Sequence, residues 1–185
     1  MEETRVYDWP ETCLYKNMGA EIPHAIGTIT INATYLEGTI ERIIWQYLSV
    51  DEETAPFITT HLPNNSRAEL LLSLIDLHER DMELREAVLH CLKAARRLTD
   101  NRNIIVHGLC SPDAGNVIIV KRTARKALSR RTYPLTARNI AEVGLGFRRY
   151  FHFATVICEH LIARKKGQFI KLLEAPELPT ELISI

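Results

Sequence analysis

The chain has 185 residues, enough to bury a hydrophobic core and most economically arranged as one domain. Its apolar fraction of 46% and charged fraction of 25% exclude a disordered or fibrous chain. Lysine plus arginine and aspartate plus glutamate each number 23, so net charge excludes no class of partner. Because the N-terminus lacks an apolar signal core and no run of residues suits a membrane span, we expect a cytoplasmic protein that does not enter a membrane.

The first long helix is predicted after an irregular N-terminal arm, residues 1–20. From residue 22 to about residue 48 apolar side chains recur every three or four positions: Ile22, Ile26, Ile29, Ala33, Leu36, Ile40, Ile43 and Tyr47. Glu37 and Glu41 lie four residues apart beside this stripe. They either face a site together or belong to a solvated acidic surface.

A proline-containing loop is predicted over residues 50–65, followed by a second helix. Ser66, with Glu69 three residues later, has the pattern of a capping box, so we expect the second helix to begin there. A third helix is predicted to end at Gly108 and to bury Leu84, Val88, Cys91, Ala95 and Leu98.

The cysteines and histidines show no recognised ligand spacing, so no metal site and no cofactor are predicted. Cys91 and Cys158 fall on apolar helical stripes and are expected to be reduced and buried.

A small β-hairpin is predicted near residues 116–135, from the β-branched run of residues 117–120 and a second segment that ends in Tyr133-Pro134-Leu135. Pro134 suits an edge strand. A last helix is predicted to begin near Thr136.

These patterns predict a single domain, residues 1–185: an all-α up-and-down helical bundle over residues 22–166 with the hairpin inserted before the last helix. The C-terminal tail, residues 168–185, is expected to be extended and packed on this chain or on a partner.

One segment of the third helix has a chemical pattern, Arg102-Asn103-Ile104-Ile105-Val106-His107. Arg102 continues the apolar stripe, where a guanidinium needs an acid or an anion. Asn103 and His107 are one turn apart, and the negative helix end favours a protonated His107. Arg102 and His107 are about 140° apart around a straight helix. They act together only if Arg102 reaches round the helix end or if a second copy meets the first.

Such residues suit metal-independent RNA cleavage, in which a ribose 2′-hydroxyl attacks the adjacent phosphorus. His107 would move a proton, Arg102 would stabilise the phosphorane, and Asn103 would orient the phosphate or the imidazole. The structural alternative is that Arg102 pairs with a buried acid and that His107 caps the helix.

The segment Arg102–His107 resembles the Arg-x4-His motif of HEPN domains, in the form with asparagine after arginine. The resemblance implies a helical bundle that forms a homodimer, with the motif helices of both copies in one cleft. It implies endoribonuclease activity in toxin–antitoxin, phage-defence or RNA-processing systems, with RNA as substrate and an antitoxin or another regulatory protein as partner.

Two details refine what the resemblance implies. Leu109 stands where some HEPN toxins have a modified tyrosine, so regulation by a nucleotidyltransferase antitoxin is not expected. Some members also use an acidic residue from another helix, for which the candidates are Glu37, Glu41, Asp76 and Asp100.

Residues 116–138 hold seven basic residues and no acidic one. They form either a surface that binds the phosphates of RNA, with Tyr133 stacking on a base, or a charged surface that keeps an edge strand from pairing with another chain. The predicted RNA-binding residues are Lys121, Arg122, Arg125, Lys126, Arg130 and Arg131, with Arg138 just beyond.

Two functions of different classes follow from these patterns. The first is a homodimeric, metal-independent endoribonuclease. The second is a non-catalytic helical module that binds RNA, a nucleotide or a protein partner. A DNA-binding regulator ranks below both, because the sequence lacks a helix-turn-helix pattern.

Overall fold

The structure is a computed structural model. It describes residues 20–113, 116–123 and 129–183; within these ranges, residues 109–113, 116–123, 129 and 130 are described by their backbone alone. Nearly all of the predicted N-terminal arm, residues 1–20, therefore lies outside the described residues. The same is true of Arg125 and Lys126.

The described residues form an all-α helical bundle with a small β insertion between its last two helices, which confirms the predicted fold class. The elements in chain order are α1 Glu21–Leu48, α2 Ala55–Thr59, α3 Asn64–His78, α4 Met82–His107, β1 Leu109–Asp113, β2 Asn116–Thr123, β3 Ser129–Leu135 and α5 Ala137–Lys165. Within these described ranges, no helix combines the length and the apolar character needed to cross a membrane.

The most extensive helix contact joins α1 and α5, which approach closely at a glycine. A Cβ atom on Gly144 would lie 3.3 Å from Thr28 Cγ2, and one on Gly146 would lie 2.7 Å from Leu98 Cδ2 on α4. Asn32 Nδ2 donates a hydrogen bond of 3.0 Å to the Gly144 carbonyl. The two glycines therefore let α5 pack tightly against α1 and α4, which offsets their low helix propensity.

The start of α3 differs from the prediction. The helix begins at Asn64 with Pro63 as its N-cap residue, and no side chain caps it. Proline has a fixed φ and no N–H to satisfy, so the chain turns helical two residues before Ser66. The capping box predicted at Ser66 and Glu69 is therefore wrong, and the loop predicted over residues 50–65 contains α2.

Helices α4 and α5 are each capped at the N-terminus by a side chain. The Asp81 carboxylate accepts hydrogen bonds from the backbone N–H groups of Glu83 and Leu84, at 3.0 and 3.2 Å. Thr136 caps α5 as predicted, and it exchanges hydrogen bonds with Asn139 in a capping box.

The β insertion is a three-stranded antiparallel sheet in the order β1-β2-β3. The predicted hairpin corresponds to β2 and β3, whereas the additional strand Leu109–Asp113, which directly follows the predicted helix end at Gly108, was not predicted. It pairs with the β-branched run, with Cys110 opposite Ile119. Pro112 and Pro134 both lie on edge strands, where a missing N–H leaves no ladder bond unmade.

A buried ionic cluster ties α1, α5 and the turn between α3 and α4 together. The Glu79 side chain, 1% exposed, accepts two hydrogen bonds of 2.9 Å from Arg164. It also accepts one of 2.8 Å from Tyr47 Oη and one of 2.9 Å from the Asp81 backbone N–H. Burial by itself raises the pKa of Glu79, but these hydrogen bonds together hold it below its ordinary value.

Residues 168–183 are extended and pack on this chain, which is one of the two arrangements predicted for the tail. Leu172 is buried against the bundle. The His160 ring Nδ1 lies 2.6 Å from the Ile170 carbonyl oxygen. The tail therefore runs back along the helix that it follows.

Candidate functional site

The predicted catalytic segment lies entirely on α4, as expected. The helix ends at His107, and the backbone N–H of Gly108 donates a hydrogen bond of 3.1 Å to the Ile104 carbonyl. Asn103 and His107 are therefore one helical turn apart. Arg102 follows the apolar stripe that the sequence predicted for this helix.

Arg102 makes an ion pair within its own chain. Its Nη1 lies 2.9 Å from Glu37 Oε1 on α1, and each side chain is 26% exposed. The pair is thus half-buried, and within the described residues it uses one N–H group of the guanidinium. The structural alternative predicted that Arg102 pairs with a buried acid. The ion pair is present, but its acid, Glu37, is only partly buried.

The other candidate acids do not contact Arg102. Glu41 pairs with Arg67 at 2.6 Å, and Asp76 pairs with Arg85 at 2.6 Å. Asp100 is exposed. Glu37 is therefore the one of the four candidates that the fold brings to the motif.

A groove between α1, α3 and α4, here called the polar groove, passes beside the ion pair. Its volume is about 570 Å³. Its floor is apolar, with Leu36, Ile40 and Leu92. The polar side chains around it include Glu37, Lys93, Arg96, Thr99, Asp100 and Asn103. Asn103 and Glu37 thus share one groove, whereas His107 lies beyond its end.

The end of α4 is buried on one side and open on the other. Ile104 and Ile105 are 8% and 1% exposed, whereas Val106 is 40% exposed. The His107 side chain is exposed and makes no hydrogen bond within the described residues. Of the three consecutive apolar residues at this helix end, Val106 is therefore the one that stays exposed in the single chain.

The basic segment is only partly described. Backbone register places Lys121 opposite Arg131 and Arg122 opposite Arg130, and Arg131 on β3 is exposed. Arg125 and Lys126 lie outside the described residues. Tyr133 is 4% exposed in the hydrophobic core, so the expectation that it stacks on a base is wrong. The Tyr133 ring packs in the hydrophobic core and is therefore inaccessible to a base.

The described thiols are structural. Cys91 and Cys158 are free and buried, as predicted. Burial raises the pKa of the Cys91 thiol to about 12 and also raises the pKa of Cys158, which makes both poor nucleophiles. Among the residues that the structure describes, no three His, Cys, Asp or Glu side chains are grouped as metal ligands.

Sequence reasoning missed Asn101, which is 2% exposed and bonds the C-terminal tail. A signal was available, because Asn101 falls between Leu98 and Ile105 at the spacing of a buried face. A buried amide needs hydrogen-bond partners. The identity of those partners, about 80 residues along the chain, has no signal in local sequence.

Comparisons with protein-family models, with curated proteins and with solved structures found no match. The chemistry of the site therefore rests on its own residues. A guanidinium held at a half-exposed position can bind a phosphate through charge-assisted hydrogen bonds. An exposed imidazole at the same helix end is accessible to a substrate and can act as a general acid or base.

Proposed function

We propose that this protein is a metal-independent endoribonuclease of the HEPN type, acting as a homodimer with Arg102, Asn103 and His107 as its catalytic residues. One arrangement carries the proposal. Glu37 holds Arg102 at 2.9 Å while the guanidinium stays 26% exposed, and the exposed His107 follows at the end of the same helix. The resemblance to HEPN domains adds a toxin or a phage-defence effector as the biological setting.

In the proposed reaction the ribose 2′-oxygen forms a bond to the adjacent phosphorus and the P–O5′ bond breaks. One imidazole accepts the 2′-hydroxyl proton, and a second, protonated imidazole gives a proton to the leaving O5′. The products are a 2′,3′-cyclic phosphate and a 5′-hydroxyl end. Arg102 stabilises the charge of the phosphorane, and Asn103 orients the phosphate or the imidazole.

A second copy of the chain completes the proposed site. The reaction uses two imidazoles, and each chain has one His107. Arg102 and His107 are separated by about 140° around the helix, so one copy does not present both to a single phosphate. Val106, 40% exposed beside His107, offers apolar surface for contact with the second copy. A two-fold axis near this helix end would bring both motif segments together.

Glu37 is proposed as a positioning residue for Arg102. A long arginine side chain loses conformational entropy when it binds a phosphate, and an ion pair that fixes it beforehand lowers that cost. The pair engages one guanidinium N–H among the described contacts, which leaves the opposite edge of the fork for the phosphate.

The β insertion is proposed as the RNA-binding surface, through Lys121, Arg122, Arg125, Lys126, Arg130 and Arg131. The register supports this role, because two pairs of basic residues occupy directly opposite positions on β2 and β3. Like charges at such positions repel each other. A bound polyanion relieves that repulsion and gains affinity from it.

One observation favours a second candidate, a non-catalytic module that binds RNA, a nucleotide or a protein partner. The polar groove, at about 570 Å³, has the size of a small-molecule site, and it is lined by Asn103 but not by Arg102 or His107. If ligand recognition is the whole function, binding survives the loss of the arginine and the histidine.

The test is cleavage of a mixed-sequence RNA in excess EDTA by the unsubstituted chain and by the Arg102→Ala and His107→Ala variants. Each variant is expected to lose at least about 100-fold in rate, since charge stabilisation and proton transfer each contribute about that much. Undiminished cleavage by both variants would overturn the proposal. RNA binding without turnover in all three proteins would favour the non-catalytic module.

The chain supplies matched controls for both substitutions. Arg85 lies on the same helix, is 30% exposed and pairs with Asp76, so Arg85→Ala removes a comparable ion pair away from the motif. His78 is an exposed residue in the last turn of α3, as His107 is on α4. Arg85→Ala and His78→Ala are expected to cleave RNA within about twofold of the unsubstituted rate, as surface substitutions usually leave activity and folding unchanged.

A further inference from the structure

The C-terminal tail lies in a groove between α4 and α5, here called the tail groove. The chain leaves α5 and turns at Gly167, whose φ of +69° suits glycine. It then runs back toward the start of α5, with Pro176 beside Tyr150 and Thr180 beside Asn101. Residues 176–182 are thus an extended segment on the helix that carries the proposed catalytic residues.

The tail groove holds this segment mainly by its backbone. Tyr150 Oη donates a hydrogen bond of 2.9 Å to the Pro176 carbonyl, which also lies 2.8 Å from His90 Nε2. Arg97 Nη1 donates to the Pro179 carbonyl at 3.3 Å. A groove that binds carbonyl groups recognises an extended chain whatever its exact sequence.

Asn101 provides the most specific of these contacts. Its Nδ2 donates to the Thr180 carbonyl at 2.9 Å, and its Oδ1 accepts from the Leu182 backbone N–H at 3.1 Å. The side-chain amide thereby bonds the tail as a neighbouring strand would. Asn101 is 2% exposed with the tail in place, so the tail both covers this amide and satisfies its donor and its acceptor.

Side chains of the tail add a chemical preference. Glu181 Oε1 lies 3.1 Å from Arg97 Nε. Leu178 and Leu182, four residues apart, are half-buried against the helices. A cavity of about 370 Å³, partly walled by Arg149, remains between the tail and the helices. The tail groove therefore suits an extended acidic peptide with spaced leucines and is not completely filled by the tail.

We propose that the tail groove is a binding site for extended acidic peptides and that residues 176–182 are its resident occupant, which a peptide supplied in trans displaces. Displacement is feasible because the tail contributes no helix or sheet ladder of its own and most of the connecting residues 168–175 are exposed. The tethered tail competes at a high effective concentration, so a peptide in trans binds weakly unless the resident segment is weakened. This proposal does not depend on the ribonuclease activity.

The test measures fluorescence anisotropy of a labelled peptide with the sequence of residues 175–183, mixed with the full-length chain. In one variant, Leu178→Asp with Leu182→Asp weakens the resident tail and leaves the groove intact. The peptide is expected to bind this variant at least about tenfold more tightly than the unsubstituted chain, because the competitor is lost. Adding Asn101→Leu to the same variant is expected to abolish binding.

Controls separate peptide recognition from unfolding. Glu181→Arg removes one tail contact at an exposed position, and it should raise peptide binding by a smaller factor while the circular dichroism spectrum stays unchanged. A peptide carrying both aspartates should not bind any of the proteins. Equal binding to the unsubstituted chain and the tail variants, or binding that Asn101→Leu leaves intact, would overturn the proposal. Dimers that the peptide dissociates would assign the groove to the tail of a second copy and would equally overturn it.

Discussion

Two arginine–glutamate pairs in this fold have the same chemical groups and different surroundings. Arg164 binds Glu79 with two hydrogen bonds, and that carboxylate is 1% exposed and receives two further donors. Arg102 binds Glu37 with one hydrogen bond, and both side chains are 26% exposed. We call Arg164–Glu79 the closed pair, because its carboxylate is buried and bound by several donors. We call Arg102–Glu37 the open pair, because both side chains are partly exposed.

The difference indicates what each pair can do. In the closed pair the carboxylate oxygens are occupied by donors from α1, α5 and the turn before α4, so its effect is to hold these elements together. In the open pair one N–H of the guanidinium fork is engaged within the described contacts, so a phosphate can bind without breaking the pair. We therefore expect substitutions in the first to lower stability and substitutions in the second to lower activity.

The largest effect is expected for Glu79→Ala. The substitution leaves the Tyr47 hydroxyl and the Asp81 N–H without their acceptor and Arg164 without its counter-ion. The free energy of unfolding should fall by about 2–4 kcal/mol, near the lower end for broken buried pairs because Arg164 is itself part-exposed. Urea unfolding followed by circular dichroism measures the change. A loss below about 0.5 kcal/mol would contradict a closed structural role.

Glu37→Gln should give the opposite pattern. Removing the charge at a half-exposed pair should change the free energy of unfolding by less than about 1 kcal/mol. RNA cleavage in EDTA should nevertheless fall about tenfold, because Arg102 is no longer fixed toward the phosphate. Glu41→Gln, which alters the neighbouring pair with Arg67, is the control and should cleave at nearly the unsubstituted rate. Equal losses in both variants would show that Glu37 has no special role.

The closed pair also predicts a pH dependence. The hydrogen bonds hold the pKa of Glu79 below its ordinary value although burial alone would raise it. Its contribution to stability is therefore complete above the unfolded pKa, about 4.3 for glutamate, and is lost as pH falls through the lower folded value. The stability difference between the unsubstituted chain and Glu79→Gln should be constant from about pH 6 to 8 and should shrink below about pH 4. A difference that grows in acid would contradict this sign.

The smallest effect is expected at the edge of the β insertion. Arg131 is exposed on β3, and Arg131→Ala should weaken RNA binding about two- to threefold. The slope of log binding constant against log salt concentration should become shallower by about one, which corresponds to the loss of one phosphate contact. The exposed Arg80, outside both pairs, serves as the control. Identical salt dependence for the two variants would argue that the sheet is not an RNA-binding surface.

Much of the fold was predictable because apolar periodicity is local information. The stripe from Ile22 to Tyr47 and the caps around Thr136 gave the long helices nearly to the residue. Pro63 shifted the start of α3 because a fixed φ outweighed the Ser66 pattern. The strand Leu109–Asp113 was missed because its proline-containing sequence has turn composition and its strand structure depends on pairing with β2.

The site was predictable only in part, because its contacts join distant residues. Glu37 and Glu41 each follow an apolar residue of the same stripe and lie one helical turn apart, yet one reaches Arg102 and the other reaches Arg67. The choice depends on how α1 lies against α3 and α4. The closed Glu79–Arg164 pair, 85 residues apart, had no local signal for the same reason.

If the Arg102–His107 segment is half of a ribonuclease site, each site needs the His107 of both copies. The unsubstituted chain and His107→Ala are mixed in equal amounts and assayed for RNA cleavage in EDTA before and after subunit exchange. Before exchange half of the dimers carry two His107 side chains, and after random exchange about a quarter do, so cleavage should fall to about half of its starting rate. An unchanged rate, with subunit exchange demonstrated by mass spectrometry, would contradict a site that is shared between two copies.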